Sequence, residues 1–372
     1  MATTRFLLAL FSAFGGLLLS LPIVMIILFL WLVSALTRTV AHYYEKSAVA
    51  WQQIIEFDSL LGWKSKPNLH VSCIAEPAGE IFKIITDSNG WRGHTNLHDS
   101  DIVVFGDSFA FGYGVDDADC FFNLRTEKPK IKSIGVPGYN MAQELLCMQR
   151  LAPQLRDKPV VWLVYVGNDI YDNLKPNHLH YRRPFVRHLR DTDQWEIYNA
   201  HVTLSRWPYH SGRQLIEHHE MLGNTYSSSF LGKRAYSACE YLIASAQDLL
   251  NRFGAELVVV TIPDIFELSS NGTQRLLLYS ADPATFDPNL PHRRIESICS
   301  RLGVKYFSAK DSFQIDDYNP RDRHWTPSGH QRIKEFMIRL HADYTRNRQK
   351  PYEASGVNVG NSPRPSHLTS NA

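Results

Sequence analysis

The stretch DIVVFGDSFAFGYGV, residues 101–115, indicates the fold and raises the question of function. It opens with a short run of apolar, mostly β-branched side chains, which is typical of a strand buried on both faces. Asp107 and Ser108 follow one residue later, where such a strand would pass into a helix. Ser108 is therefore either a helix cap or a hydroxyl placed for chemistry, and the rest of the chain has to separate the two.

Four later segments repeat this apolar pattern, and helical-looking segments separate most of the five. They are KIKSIGV at 130–136, VVWLVYVG at 160–167, ELVVVTIP at 256–263 and VKYFSA at 304–309. Strands that alternate with helices form parallel sheets covered on both faces. The sequence therefore predicts an α/β fold: a three-layer αβα sandwich, flavodoxin-like, around a mostly parallel five-stranded sheet.

Composition limits the possible partners. The 372 residues are 44% hydrophobic and 20% charged, which is typical of a globular chain, and the formal net charge is only +2. Without a basic field or a nucleic-acid-binding motif, we expect no nucleic acid partner. The five cysteines are odd in number, scattered and without CxxC spacing, which favours neither a disulfide framework nor a zinc site. We expect neither a metal nor an organic cofactor.

The amino terminus departs most from this average. Residues 6–36 carry no charge, and this stretch exceeds the roughly 20 residues that cross a bilayer as a helix. It predicts a single-pass transmembrane anchor within residues 1–40. The alternative is a cleaved signal peptide, whose apolar region is normally about 7–15 residues long. Arg5 on one flank and Arg38 and Lys46 on the other are too balanced to set the orientation.

The remaining boundaries follow from composition. Residues 41–100 are interpreted as a polar connector and a small β-rich lead-in, and residues 101–346 as the α/β domain, with an insertion at about 174–233. Residues 347–372 are polar and are predicted to be disordered.

Two segments of the insertion contain clusters of charged or histidine side chains. HLHYRRPFVRHLR, residues 178–190, is basic and aromatic, and we interpret it as a solvated surface, with binding of an anionic glycan or of lipid headgroups as the alternative. EHHE, residues 217–220, lacks the HExxH pattern and is interpreted as a solvated helix face.

Polar residues follow the predicted strands at the edge where ligands of parallel sheets gather. Ser108 follows the first strand, Gly138 the second and Asn168 the third, while Asp322 and His324 lie after the fifth. A serine hydroxyl becomes a nucleophile when an imidazole takes its proton and a carboxylate orients that imidazole. The amides of Ser108, Gly138 and Asn168 are candidate donors to an oxyanion. The alternative for Gly138 and Asn168 is that they are ordinary turn residues.

A second histidine, His330, is also a candidate base. It follows Pro327 and Gly329 into the predicted first turn of the closing helix, which favours a packing or capping role. His324 lies on a loop that is free to turn toward Ser108, so we assign the base to His324. Asp322 can then reach the imidazole only if the loop bends, which would point Arg323 toward solvent.

Four blocks in chain order resemble the SGNH, or GDSL-type, hydrolase superfamily. They are FGDSFAFGYG at 105–114, GVPGYN at 135–140, VGND at 166–169 and DRHW at 322–325, and the resemblance covers about residues 101–344. It implies Ser108 as the nucleophile, Gly138 and Asn168 in the oxyanion hole, and His324 as the base with Asp322 beside it. One departure is the spacing of the last block, in which the acid stands two residues before the histidine instead of three.

The last block, followed by PSGH at 327–330, also resembles the branch of this superfamily that acts on cell-envelope polysaccharides. The resemblance implies a membrane-anchored serine esterase that removes or transfers acyl groups, in particular acetyl groups, on a carbohydrate. It also favours an extracytoplasmic catalytic domain. The alternatives are a lipase-like or thioesterase-like hydrolase and a non-catalytic glycan-binding scaffold of an envelope complex. The sequence leaves the oligomeric state open.

Overall fold

The computed structural model describes residues 21–36, 38–39, 52–75, 79–123, 128–178, 181–203 and 220–349. In the part of the chain that the structure describes, two antiparallel hairpins precede the main domain. The first pairs β1 (Ile55–Asp58) with β2 (Gly62–Ser65), and the second pairs β3 (His70–Ala75) with β4 (Glu80–Ile85).

Residues 21–36 form helix α1, and nearly all of its side chains are exposed. None of the described helices combines the length and the apolar character that crossing a membrane requires. The predicted span also includes residues 6–20, which lie outside the described residues.

The main domain contains a five-stranded sheet in which every pair of neighbours is parallel. Its strands are β5 (Ile102–Gly106), β6 (Ile131–Gly135), β7 (Pro159–Tyr165), β12 (Glu256–Ile262) and β13 (Lys305–Ser308), in the spatial order β13-β12-β7-β5-β6. Each strand coincides with one of the five predicted segments to within one or two residues. The predicted parallel five-stranded sheet is confirmed.

Successive side chains of these strands enter two different hydrophobic cores. Val103 and Phe105 pack on one face with helices α3 (Met141–Leu151), α6 (Phe230–Asn251) and α8 (Leu290–Leu302). Ile102 and Val104 pack on the other face with α2 (Ser108–Phe111) and α9 (Pro327–Gln349). Because both faces are covered, β5 and β7 are apolar along nearly their whole length, which is why apolar runs mark them in the sequence.

The strand order places a crevice beside Ser108. The chain runs from β5 to its neighbour β6 and then crosses to β7 on the other side of β5. The connections that leave β5 and β7 therefore turn in opposite directions, and such a reversal opens a crevice at the carboxyl ends of the strands. Two of the predicted site residues follow these strands within three positions: Ser108 follows β5 and Asn168 follows β7.

Helix α2 sits unusually close to β6. A Cβ atom at Gly135 would lie 2.1 Å from the backbone nitrogen of Phe111 and 2.3 Å from the carbonyl carbon of Ala110. Only a glycine permits this approach, so the position of the helix that begins with Ser108 depends on Gly135.

The described residues of the insertion include two small antiparallel strand pairs. They pair β8 (Asn177–His178) with β9 (Tyr181–Arg182) and β10 (Phe185–Leu189) with β11 (Gln194–Tyr198). The basic run at 178–190 is not uniformly solvated as predicted, because the side chain of Arg183 is fully buried. Buried backbone carbonyls and a carboxylate surround its guanidinium.

Two other predicted segments lie wholly or partly outside the described residues. In EHHE only Glu220 is described, at the start of helix α5 (residues 220–225). The closing helix α9 extends to Gln349, beyond residue 346, where the sequence predicts the end of the domain. Helix α7 spans Ser270–Tyr279. Residues 350–372 of the predicted disordered tail lie outside the described residues.

Candidate active site

Ser108 is the first residue of α2, immediately beyond β5 and Asp107. Its Oγ lies 2.8 Å from Nε2 of His324, a normal hydrogen-bond distance. The side chain of Asp107 caps the helix by accepting the Phe109 N–H at 2.9 Å, which fixes the strand-to-helix turn. A second contact of the Ser108 hydroxyl, to Oδ2 of Asp107, is longer at 3.4 Å. The hydroxyl is thus held by the imidazole.

Two aromatic rings hold the imidazole of His324. The ring centroids of Phe109 and Tyr113 lie 5.1 and 4.8 Å from that of His324. The backbone is fixed as well, because the His324 carbonyl accepts the Asn319 N–H at 2.8 Å. The predicted base therefore reaches Ser108 from a tightly turned loop.

Asp322 contacts His324 in an unexpected way. Its Oδ1 accepts the backbone N–H of His324 at 3.0 Å, while its Oδ2 lies 3.7 Å from the ring Nδ1. The second distance is too long for a hydrogen bond. Nδ1 is buried and has no hydrogen-bond partner among the described residues. The structure thus brings the predicted acid to the predicted base at ion-pair distance, without closing the bond between them.

The prediction for Arg323 is wrong. The loop does bend, with Arg323 in the left-handed region at φ 65°, but its side chain is only 26% exposed. Its Nη1 lies 3.5 Å from Oδ2 of Asp264, a buried carboxylate just after β12 that also accepts the Tyr165 hydroxyl at 2.5 Å. The arginine therefore ties the Asp322–His324 loop to the edge of the sheet.

The predicted oxyanion donors lie on the turns after β6 and β7. Gly138 has φ +74°, a conformation that favours glycine, and Val136 on the same turn donates to the Gly106 carbonyl at 3.4 Å. Asn168 donates from Nδ2 to Oδ2 of Asp107 at 3.0 Å. A primary amide has two N–H groups, so the second one remains for another acceptor.

Two backbone amides complete the set of candidate donors. Among the described residues, neither the Ser108 N–H nor the Gly138 N–H has a hydrogen-bond acceptor. Ser108 also starts α2, although a four-residue helix contributes little field of its own. The turns after β5, β6 and β7 therefore each hold one candidate oxyanion donor.

Asp107 also belongs to the site, although no role for it is predicted from the sequence. Its carboxylate is fully buried and joins Asn168, Phe109 and Ser108. Burial raises the pKa of Asp107, and the hydrogen bonds from the Asn168 amide and the Phe109 N–H oppose that rise. The only signal in the sequence was its place beside the serine, because its partner Asn168 lies 61 positions away.

A buried arginine from the lead-in holds the loop that follows α2. Arg92 donates to the carbonyls of Gly112 at 2.5 Å and Val115 at 3.1 Å and to Asp117 at 2.6 Å. Tyr113, which contacts the His324 ring, lies inside this loop. The lead-in therefore supports the site, a connection that no pattern in the sequence predicts.

His330 lies in the first turn of α9, as expected, and is buried. Its ring stacks on Phe121, and its Nδ1 accepts the Phe121 N–H at 3.3 Å. Burial, with a smaller contribution from Arg92, lowers the pKa of His330 to about 3. These contacts are those of a neutral packed histidine.

No group of histidine, cysteine and acidic side chains suited to a metal ion occurs within the described ranges. All five cysteines are buried free thiols. A cavity of about 500 Å³ opens beside Asp322. Its lining includes Glu80, Asn319, Arg321 and Thr326.

No protein-family model and no curated protein matches the sequence. Solved structures do match. A GDSL-like lipase from Bacteroides thetaiotaomicron is 11% identical with a TM-score of 0.36, over 68% of this chain and 92% of that chain. An acetylxylan esterase from Geobacillus stearothermophilus, solved as a catalytic mutant, is 10% identical with a TM-score of 0.34, over 64% and 93%. A carbohydrate acetylesterase family member from Sinorhizobium meliloti is 11% identical with a TM-score of 0.36, over 66% and 99%. TM-scores this low support no conclusion about function.

Proposed function

We propose that the protein is a serine hydrolase of the SGNH type that acts on ester bonds, with Ser108 as nucleophile. One observation carries the proposal: the Ser108 hydroxyl lies 2.8 Å from Nε2 of His324 at the ligand-binding edge of a parallel sheet. A serine that only capped α2 would need no imidazole, and the cap is already supplied by Asp107.

The first chemical step is attack of the Ser108 oxygen on the acyl carbon of the ester. The serine proton passes to Nε2 of His324, which requires that the resting imidazole carry its proton on Nδ1. The carbon–oxygen bond to the alcohol then breaks, and His324 returns the proton to the departing alkoxide. Water repeats the sequence on the acyl-Ser108 ester and releases the acid, whereas a sugar hydroxyl in place of water would give acyl transfer.

Asp322 supports the charged form of His324 in this proposal. When the imidazole becomes positive, a carboxylate oxygen 3.7 Å from Nδ1 stabilises it, and a small rotation would convert the contact into a hydrogen bond. Its other oxygen keeps the backbone N–H of His324 in place throughout.

The oxyanion of the tetrahedral intermediate is stabilised by the Ser108 and Gly138 amides and by the second N–H of Asn168. Asp107 holds the first N–H of Asn168, so the amide is oriented before the substrate binds. Such preorganised donors are worth about 10²–10³ in rate each.

We infer further that the substrate is a carbohydrate ester, in which an acyl group, in particular acetyl, is bound to a sugar hydroxyl. The sequence resemblance of the DRHW and PSGH blocks supports this, and so does the cavity beside Asp322. Beside the apolar Val115 and Trp325, its lining has charged, amide and hydroxyl side chains that can form hydrogen bonds with a hydroxylated substrate, from Glu80, Asn319, Arg321 and Thr326. A lipase-like or thioesterase-like specificity would instead be indicated by faster turnover of long-chain esters or thioesters than of acetyl esters.

We also propose that residues 6–36 anchor the chain as a single helix, with the catalytic domain on the extracytoplasmic side. The uncharged stretch and the exposed apolar side chains of residues 21–36 support the anchor. Full-length protein should stay in the membrane fraction after an alkaline wash, and carboxyl-terminal reporter fusions should report the outer side. Soluble protein with a new amino terminus near Ala35 would refute the anchor.

The decisive experiment compares wild-type protein with Ser108→Ala. The wild type should hydrolyse a chromogenic acetate ester and be labelled by a fluorophosphonate, and the variant should do neither while keeping its melting temperature. If the folded wild type is neither active nor labelled, the non-catalytic scaffold is the better interpretation. If Ser108→Ala turns over substrate normally, the serine mechanism is wrong.

A further inference from the structure

Arg183 is a buried cation in the insertion, between β9 and β10. Its side chain has no solvent exposure. The guanidinium donates from Nη1 to the Gly138 carbonyl at 3.0 Å, from Nη2 to the Asp172 carbonyl at 3.1 Å and from Nε to the Lys175 carbonyl at 3.2 Å. Nη2 also lies 3.0 Å from Oδ2 of Asp172. These bonds offset the high cost of burying the charge.

Two of the three carbonyl acceptors of Arg183, those of Gly138 and Asp172, belong to the connections that carry the candidate oxyanion donors. Gly138 is itself one donor. Asp172 ends α4 (Asp169–Asp172), the short helix that Asn168 precedes, and the Asp172 N–H donates to the Asn168 carbonyl at 2.9 Å. A single guanidinium therefore bridges the turn after β6 and the turn after β7.

The side chain of Asn140 also links the Gly138 turn to α4 and to the insertion. Asn140, on the Gly138 turn, donates to the Asp172 carbonyl at 3.2 Å and to the Pro184 carbonyl at 3.0 Å. The insertion is thus fastened to the turns of the site at Arg183 and again at Pro184.

The Gly138 turn has a particular need for such a hold. At φ +74° glycine is free to rotate where other residues are not, so its conformation has to be fixed from outside. The bond to the Gly138 carbonyl restrains the peptide on one side of this residue, and the Gly138 N–H, the proposed oxyanion donor, belongs to the peptide on the other side.

We propose that Arg183 is a positioning residue for the oxyanion hole, acting through the Gly138 carbonyl and α4. This inference rests on the proposed function. Arg183 touches neither the substrate nor Ser108, and it sets the separation of the Gly138 and Asn168 donors. The insertion is then part of the catalytic machinery instead of a surface addition.

The test is Arg183→Lys, which keeps the charge beside Asp172 but cannot bridge three carbonyls. We expect kcat for a chromogenic acetate ester to fall by ~10²-fold, the loss that a displacement of about 1 Å in a catalytic group can cause, with KM unchanged. The rate of fluorophosphonate labelling should fall in parallel, because that reaction uses the same donors.

The matched control is Arg150→Lys. Arg150 forms a two-bond pair with Asp58 near the far end of α3, at 2.9 and 3.0 Å, away from the two turns. It should lose thermal stability and keep kcat. If both lysine variants lower kcat in proportion to their loss of melting temperature, Arg183 is merely structural.

A milder variant covers the case in which Arg183→Lys does not fold. Asp172→Asn removes one of the guanidinium's partners and keeps the carbonyls, so kcat should fall by a smaller factor in the same direction. Unchanged kcat in folded Arg183→Lys, or otherwise in Asp172→Asn, overturns the inference. Loss of the proposed function itself would appear differently, as wild-type protein without activity.

Discussion

Asp322 accepts the backbone N–H of His324 at 3.0 Å, while its other oxygen stays 3.7 Å from the ring of the same residue. The carboxylate therefore fixes the backbone of the base more tightly than it fixes the imidazole. The two-residue spacing explains this geometry, because an aspartate at that distance readily caps the N–H two positions on. Its contribution to catalysis should be smaller than that of an acid bonded directly to the ring.

The first prediction compares substitutions of His324 and Asp322, on the loop, with one of His330, in the first turn of α9. His324→Gln should lower kcat by at least ~10⁴-fold, since nothing else takes the serine proton, and Asp322→Asn by only ~10²-fold, since the asparagine oxygen still caps the loop. His330→Gln should retain most turnover. Steady-state kinetics on an acetate ester checks all three, and a larger loss for His330→Gln than for His324→Gln would reverse the assignment of the base.

The second prediction concerns the oxyanion. Asn168→Ala should lower kcat by about 10²–10³-fold with little change in KM, because the amide donates to a charge that develops only in the transition state. A change confined to KM would make Asn168 a substrate-binding residue instead. Its melting temperature should also fall, because the buried Asp107 carboxylate loses a hydrogen bond that it has in the wild type.

The third prediction is a pH dependence of stability. The pKa of His330 in the folded protein is about 3, below the ordinary value of 6.5, so the unfolded chain binds a proton that the folded chain does not. Stability therefore falls as pH falls from about 6.5 toward 3, with a limiting slope of about 1.4 kcal/mol per pH unit for this one group. Urea unfolding at a series of pH values measures the slope.

His330→Gln is the control for that slope. Glutamine can still accept the Phe121 N–H but does not titrate in this range. The variant should be less stable than wild type near neutral pH, and the difference should shrink on acidification. A difference that is constant with pH would mean that His330 is not the titrating group.

The fourth prediction tests the close contact between Gly135 of β6 and helix α2, which begins with Ser108. Gly135→Ala would place a methyl group against the backbone of Phe111 and Ala110, where no flexible side chain can yield. Overpacking of this kind costs about 1–3 kcal/mol or more. We expect lower stability together with lower kcat, because α2 has to move and carries Ser108 with it. Gly303→Ala, at a position with open space but positive φ, should lower stability without affecting kcat.

The sheet could be predicted because its signal is local. Strands buried on both faces are mostly apolar, as in VVWLVY at 160–165, and the structure ends β7 at Tyr165 near the end of that run. The candidate site could be predicted in part for the same reason, since Ser108, Gly138 and Asn168 each follow a strand that was already recognised.

What escaped prediction depends on contacts between distant positions. Arg183 looked like one more cation in a basic run, and its acceptor Gly138 lies 45 positions earlier. Arg323 was expected in solvent because nothing nearby in the sequence reveals the buried carboxylate of Asp264. In both cases the burial of an arginine is decided by tertiary packing, which the local pattern does not encode.

The hydrogen bond between Ser108 and His324 joins positions 216 residues apart. During synthesis the nucleophile thus leaves the ribosome long before its base, and the last strand and α9 must dock before the two can meet. In the proposed mechanism, a chain that stops before residue 324 lacks the base, so its Ser108 hydroxyl is not activated, even with β5, β6 and β7 in place.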